Sequence, residues 1–413
     1  MIKIKSMSYE MIVICLLSAL PIVDSVNGML MYTNMPSIGT LYKIFVMGIM
    51  LIMIFSNGKG ISKLFGIILA TILYILMSIS INYVISDCNI ISMDYPIKLV
   101  FNIVLFYALI QNIKNKHISE EAIYKILNNN AYIIVICVIV PYLLGLGYTI
   151  YSGNIGYKGF YYSQNELNAV LIILLFFSLY KLYQKITILT IMQVLGIFIC
   201  ILLMSTKSSL IAGMLGFSVF VFEYIKKENA RKKMILIGIL SVGVVGVSGF
   251  VIGKITDMLT RQNSLHSIYN GSLLATITSG RIYTLEDAWG QFIEGDVYVL
   301  NALIGNGFFS KYLVEMDFFD VFFYLGIVGI LFVVMFLAYV LLKGKRNLRN
   351  DKNIIRRVGF FVIIAFAFLT GHVLFMATSG WYFIIYCVFI IVYGNNSSNY
   401  ALGNSDLVGR ENI

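Results

Sequence analysis

Apolar runs of roughly 17–25 residues recur along this chain, each long enough to cross a hydrocarbon core of about 30 Å. No other feature narrows the fold as much. A backbone inside lipid must close its own hydrogen bonds, so each run is expected to be a helix. Only 12% of the 413 residues are charged and 59% are hydrophobic, whereas an ordinary soluble domain carries about 25% charged residues. These observations predict an all-α integral membrane protein.

The hydropathy pattern places twelve spans, at about 9–30, 38–56, 64–85, 96–112, 131–151, 165–183, 186–204, 209–225, 234–253, 317–342, 358–376 and 380–394. Lys3 and Lys5 precede the first run, which reads as an anchor because no small-x-small cleavage pattern follows it. With the N-terminus in the cytoplasm, the basic loops share one face. They are NGKGISK (57–63), 113–130 with Lys114, Lys116 and Lys125, KLYQK (181–185), KKENARKK (226–233) and KGKRNLRNDKNIIRR (343–357). Cytoplasmic loops collect Lys and Arg, so both termini are expected inside, and the net charge of +10 reports orientation, not nucleic-acid binding. The expected organisation is nine spans in 1–253, one large extracytoplasmic loop in 254–316, three spans in 317–394 and a cytoplasmic tail in 395–413. A loop of about sixty residues exceeds the usual length of a structureless connection, so it reads as a small extracytoplasmic cap.

Three basic residues break the charge pattern by falling outside. Lys158 lies in GYKGFYYSQNELNA, Lys207 in MSTKSSL and Arg281 in TSGRIYTLEDAW. Charges at membrane edges can snorkel to water, but three cations on one outer face also suit an anion, and arginine can clamp a phosphate with two parallel bonds. Their acidic counterpart is LVEMDFFD, where the loop enters the tenth span. Helix-dipole stabilisation accounts for Asp317 and Asp320. Glu315 stands before the helix and is the candidate acid or base. Asp24 and Asn27, inside the first span, read either as functional polar residues or as internal bonding beside a kink at Pro21. The three histidines, His117, His266 and His372, are scattered, and the five cysteines show no CxxC spacing. Neither a metal centre nor a disulfide framework is indicated, and no cofactor motif is present. The aromatic stretches GFYYSQN and IYTLEDAW suit an interfacial belt or stacking on sugar rings.

Taken in order, these features resemble the superfamily of O-antigen polymerases (Wzy) and O-antigen ligases (WaaL), bacterial membrane glycosyltransferases. The resemblance covers roughly residues 150–340. It rests on Lys158-Gly159-Phe160 followed by Asn165, on TKSSL with Lys207 at a position usually held by Arg, and on Ser279-Gly280-Arg281 followed by Trp289 and ALIGNGF (302–308). Gly326 and Gly329 complete it, with Glu315 where the family has His. The resemblance implies a C-type glycosyltransferase-like fold and metal-independent, inverting transfer from an undecaprenyl-diphosphate-linked oligosaccharide. The site would face outward from the cytoplasmic membrane of a bacterium, building O-antigen, capsule or a similar glycan. It assigns Arg281 and Glu315 to catalysis, Lys158, Lys207 and Arg281 to the diphosphate, and Trp289, Asn165, Glu286 and Asp287 to glycan. A flippase and a chain-length regulator of the same route are the expected partners, beside membrane lipid. Glu in place of His favours a polymerase over a ligase that passes finished glycan to an acceptor. A flippase is the second alternative, but no internal repeat is visible of the kind transporters carry.

The orientation has a direct test. Arg281→Cys is expected to react with an impermeant maleimide from outside the cell and Lys345→Cys only after lysis; the opposite pattern would invert the topology.

Overall fold

The computed structural model describes residues 2–55, 61–86, 94–151, 155–227, 253, 272–295, 298–306, 313–349, 354–371, 373–374 and 376–393. The expected ninth span (234–253, Gly253 apart), most of the cap's first half with His266, Cys88, Asp296, Lys311, His372 and the tail 395–413 lie outside the described residues.

The chain folds as an all-α membrane protein with one small β-hairpin. In order, the elements are α1 (Ile2–Ser18), α2 (Leu20–Tyr32), α3 (Ile38–Phe55), α4 (Ile61–Ser86), α5 (Asp94–Lys114), α6 (Glu120–Leu143), β1 (Thr149–Tyr151), β2 (Ile155–Tyr157), α7 (Gln164–Gln184), α8 (Ile188–Met204), α9 (Lys207–Lys227), α10 (Leu273–Thr278), α11 (Arg281–Ile293), α12 (Tyr298–Ile304), α13 (Asp317–Arg349), α14 (Ile354–Thr370) and α15 (Ser379–Val392). Among the described residues, seven helices are long and apolar enough to cross a membrane, or eight with the bent pair α1–α2 taken as one span. α8 and α15 are apolar but shorter, at 17 and 14 residues.

α7 is the hub. Its residues 167–180 are all buried, and α6, α8, α9, α14 and α15 pack around it. α15 is enclosed in the same way, from Ser379 to Ile390.

Three spans depart from the hydropathy reading in ways the local structure explains. The first span bends by 40° between α1 and α2, where Pro21 sits in the first turn of α2. The fifth begins near 120, not 131, because Ser119 caps α6 by accepting a bond from Ala122 N at 3.2 Å and its mid-helix polar residues find partners: Asn129 donates to Ser18 at 3.1 Å. It also stops at Leu143, since Gly145 and Gly147 take left-handed conformations and the chain continues as the hairpin. There Thr149 pairs with Tyr157 and Tyr151 with Ile155. Tyr157 donates to Leu146 O at 2.6 Å, and burial pushes its hydroxyl up to about 12, so it remains a donor. The eleventh span ends at Thr370 because Gly371 turns left-handed (φ 61°).

Polar residues inside the apolar region are joined across helices. Asp24 on α2 pairs with Lys43 on α3 at 2.9 Å, both side chains 4% exposed. Asn27 accepts from Gly39 N and from Ser37 Oγ, each at 2.8 Å. Internal bonding is therefore the arrangement found at this bend.

Two glycines lock α12 to α13. Gly326 breaks α13 with φ 60° and ψ −162°, and Gly305 has φ 85°. A Cβ on Gly305 would lie 2.1 Å from Tyr324 O, and one on Gly326 would lie 2.4 Å from Leu303 O. Gly305→Ala or Gly326→Ala is therefore expected to abolish recovery of monodisperse protein in detergent. Gly290→Ala, on open helix surface, should leave it unchanged or raise stability by about 0.5–1 kcal/mol in thermal unfolding.

Candidate functional site

Residues 272–281 form a tight corner. Ser272 caps α10, accepting from Ala275 N at 3.3 Å, and Ser279 (φ 55°) and Gly280 (φ 86°) then reverse the chain with consecutive left-handed residues. Gly280 N donates to Ala275 O at 2.8 Å, which closes the corner. Arg281 thereby becomes the first residue of α11, and its Nη1 reaches back to Thr278 O at 3.4 Å. Lys207 arrives from another turn. It opens α9 just after the left-handed Ser205, and its ammonium donates to Thr276 O, two residues from the carbonyl that Arg281 uses.

Glu315 is presented from the opposite side. Its backbone is left-handed (φ 63°) without being glycine, a conformation of the kind that costs of order 1–3 kcal/mol and persists only where neighbours impose it. The neighbours are explicit. Val314 and Met316 are buried on either side, and Val314 N donates to Asp320 Oδ1 at 2.8 Å. Asp317 Oδ2 accepts from Val373 N at 2.8 Å and Leu374 N at 2.7 Å, drawing the segment after Gly371 against the same turn. A Cβ on Gly371 would lie 2.2 Å from Glu315 O. Asp317 and Asp320 are thus more than dipole partners of α13: they fix the turn that carries Glu315.

The two sides meet. Arg281 Nη2 lies 3.4 Å from Glu315 Oε2, with the arginine side chain 15% and the glutamate 47% exposed. A cleft of about 410 Å³ opens over the pair, with Ser279, Tyr283, Thr284 and Leu313 among its walls. A half-exposed pair at this separation contributes about 0–1 kcal/mol, so neither group is committed to the other. Arg281 Nε is buried without a hydrogen-bond partner. A planar fork with spare donors beside an accessible carboxylate can hold an oxyanion while a proton passes to the carboxylate.

The remaining expected residues are placed elsewhere. Lys158 is 7% exposed, donates to Tyr162 O at 2.7 Å and lies 5.1 Å from the Tyr32 ring, so it stabilises the 158–162 turn. Tyr161 of that turn donates to Pro21 O at 2.9 Å, seating it on α2. Trp289 stacks with Phe322 and Phe292 at ring separations of 5.8 and 5.9 Å. Glu286 and Asp287 are exposed on α11, and Asn165 is half-buried in the first turn of α7. None of these five lines the cleft.

The hydropathy reading passed over Lys43, whose presence inside an apolar run signals a buried counter-ion. Glu166 Oε2, in the first turn of α7, accepts from Thr378 N at 2.7 Å. Among the described residues no group of three or more His, Cys, Asp or Glu side chains is placed to hold a metal ion. A comparison with protein-family models finds no match, and a comparison with curated proteins finds none.

The clamp around Glu315 makes a measurable claim. Asp317→Ala strands two main-chain N–H groups and is expected to lower stability by roughly 2–4 kcal/mol, whereas exposed Asp287→Asn should stay within about 0.5 kcal/mol; thermal unfolding in detergent reads both.

Proposed function

We propose that this chain is a polysaccharide polymerase of the bacterial cytoplasmic membrane, a twelve-span protein with both termini inside and its site facing outward. In this reading it joins repeat units carried on undecaprenyl diphosphate. The observation that carries the reading is the meeting of Arg281 and Glu315 at one cleft, from separate stretches of sequence, with the Lys207 ammonium on the Thr276 carbonyl of the adjoining corner.

In the proposed step a hydroxyl oxygen of the acceptor sugar attacks the anomeric carbon of the donor sugar. The bond from that carbon to the diphosphate oxygen breaks as the new glycosidic bond forms on the opposite face, which inverts the configuration. Glu315 takes the hydroxyl proton, and the lipid diphosphate leaves with the electron pair. Arg281, with Lys207 behind it, offsets the charge that develops on that leaving group. Lys158 has no part in this step; its ammonium serves the 158–162 turn. Sugar contacts fall to Tyr283, Thr284 and Ser279, which line the cleft, in place of Trp289 and Asn165.

Reconstitution with a defined undecaprenyl-diphosphate-linked oligosaccharide tests the reading. Wild-type protein should give a ladder of repeat lengths on a gel. Glu315→Gln should lower turnover by about 10²–10⁴-fold, the span ascribed to a positioned base. Arg281→Lys, which keeps the charge but loses the fork, should also be impaired. A ladder undiminished in Glu315→Gln would remove the base, one-step transfer to an acceptor would make the protein a ligase, and no new glycosidic bond would end the enzymatic reading.

A further inference from the structure

α12 is inside out for a water-exposed helix. Tyr298, Val299, Leu300 and Leu303 face outward at 36–61% exposure, while its one polar residue, Asn301, is turned inward at 6%. In water that distribution costs free energy at every exposed apolar side chain; in hydrocarbon it is the favoured one. α11 carries the same signature along one flank. At 3.6 residues per turn, Arg281, Leu285, Ala288 and Phe292 share the face toward the protein, and Ala288 and Phe292 are buried. Ile282, Trp289 and Ile293 follow on one side of that face with Glu286 at their edge, while Asp287, Gln291 and Glu294 occupy the remote side. Trp289 and Ile293 are 44% and 51% exposed.

The depth of the pair is set by α13. Asn306 N donates to Phe323 O at 2.7 Å, and Tyr74 of α4 donates to Ile304 O at 3.0 Å and Leu325 O at 2.6 Å. These contacts tie the end of α12 to residues 323–325, just across the Gly326 break from the straight part of α13, and that part, Ile327 to Lys343, covers about 24 Å at 1.5 Å per residue. With Lys343 at the inner headgroups, the break and the end of α12 lie toward the outer boundary of a core about 30 Å thick. The exposed apolar surface is continuous there with outward-facing residues of α13 (Ile327, Val328) and α4 (Leu73, Met77).

We infer that α11 and α12 form a hairpin lying in the outer leaflet, its apolar flank against acyl chains and its acidic flank against water. The partner of this surface is the lipid itself. Tryptophan and tyrosine belong at that level, and a helix with one apolar and one charged side settles along the interface instead of above it. The segment read from sequence as a cap over the membrane is therefore, in its 281–304 part, embedded at the rim. The Arg281–Glu315 cleft then opens at the lipid–water boundary, on the other side of α11 from the acyl chains.

Spin labels report immersion without reference to turnover, so this inference and the glycosyl-transfer reading fail separately. Val299→Cys, Leu303→Cys and Asp287→Cys are introduced singly into the full chain with its native cysteines replaced by alanine, and the protein is placed in phosphatidylglycerol–phosphatidylethanolamine vesicles. Dissolved oxygen should relax the labels at 299 and 303 faster than an aqueous nickel chelate does, and the order should reverse at 287. Labels at 299 and 303 that respond to nickel as 287 does would put α12 in water and overturn the inference. Labels silent to both reagents would put it under protein, which overturns it equally.

Discussion

Two buried carboxylates at the start of α13 organise the segments around the candidate cleft. Asp317 and Asp320 are 1% and 0% exposed, and burying such charges without partners would cost several kcal/mol each. The chain meets that cost by turning main-chain N–H groups toward them: Val314 toward Asp320, and Val373 and Leu374 toward Asp317. The requirement acts on three segments at once. It bends 313–316 back over its own helix, forces the left-handed turn at Glu315, and draws in the stretch after α14 so closely that only glycine fits at 371. The aspartates hold the backbone that carries Glu315, and its side chain meets Arg281 at 3.4 Å.

Much of the frame was legible from periodicity because lipid permits few alternatives. A run of twenty apolar residues has little choice but helix, and α3, α4, α5, α7, α9 and α13 fall where the hydropathy placed them. What periodicity missed was local. It could not see that Asn128 and Asn129 would find polar partners and so carry the start of α6 further back, nor that Gly145 and Gly147 would end that helix early. Of the candidate cleft, the charged residues stood out in the sequence and the neutral ones did not. Arg281 and Glu315 violate the surrounding composition, whereas Tyr283 and Thr284 look like any helix residues until the Ser279–Gly280 corner aims them at the cleft. Lys158 shows the limit of that logic, since a cation with a carbonyl and an aromatic ring around it is already satisfied.

The same distinction separates two of the ion pairs among the described residues. Asp24 and Lys43 are in contact at 2.9 Å with 4% exposure on each side chain, 6.0 Å from the ring of Trp381. In such a dry setting each charge depends on the other, and removing either leaves an uncompensated ion where water cannot reach. That pair ties α2 to α3 and has no freedom to serve an incoming group. Arg281 and Glu315 stand 3.4 Å apart with the carboxylate half in solvent, so water already shares their charge and little is lost when they separate. On the proposed reading, an anion entering the cleft would compete against a weak interaction and would leave the carboxylate to accept a proton. The looseness of this pair rests on backbone held by the aspartates behind it.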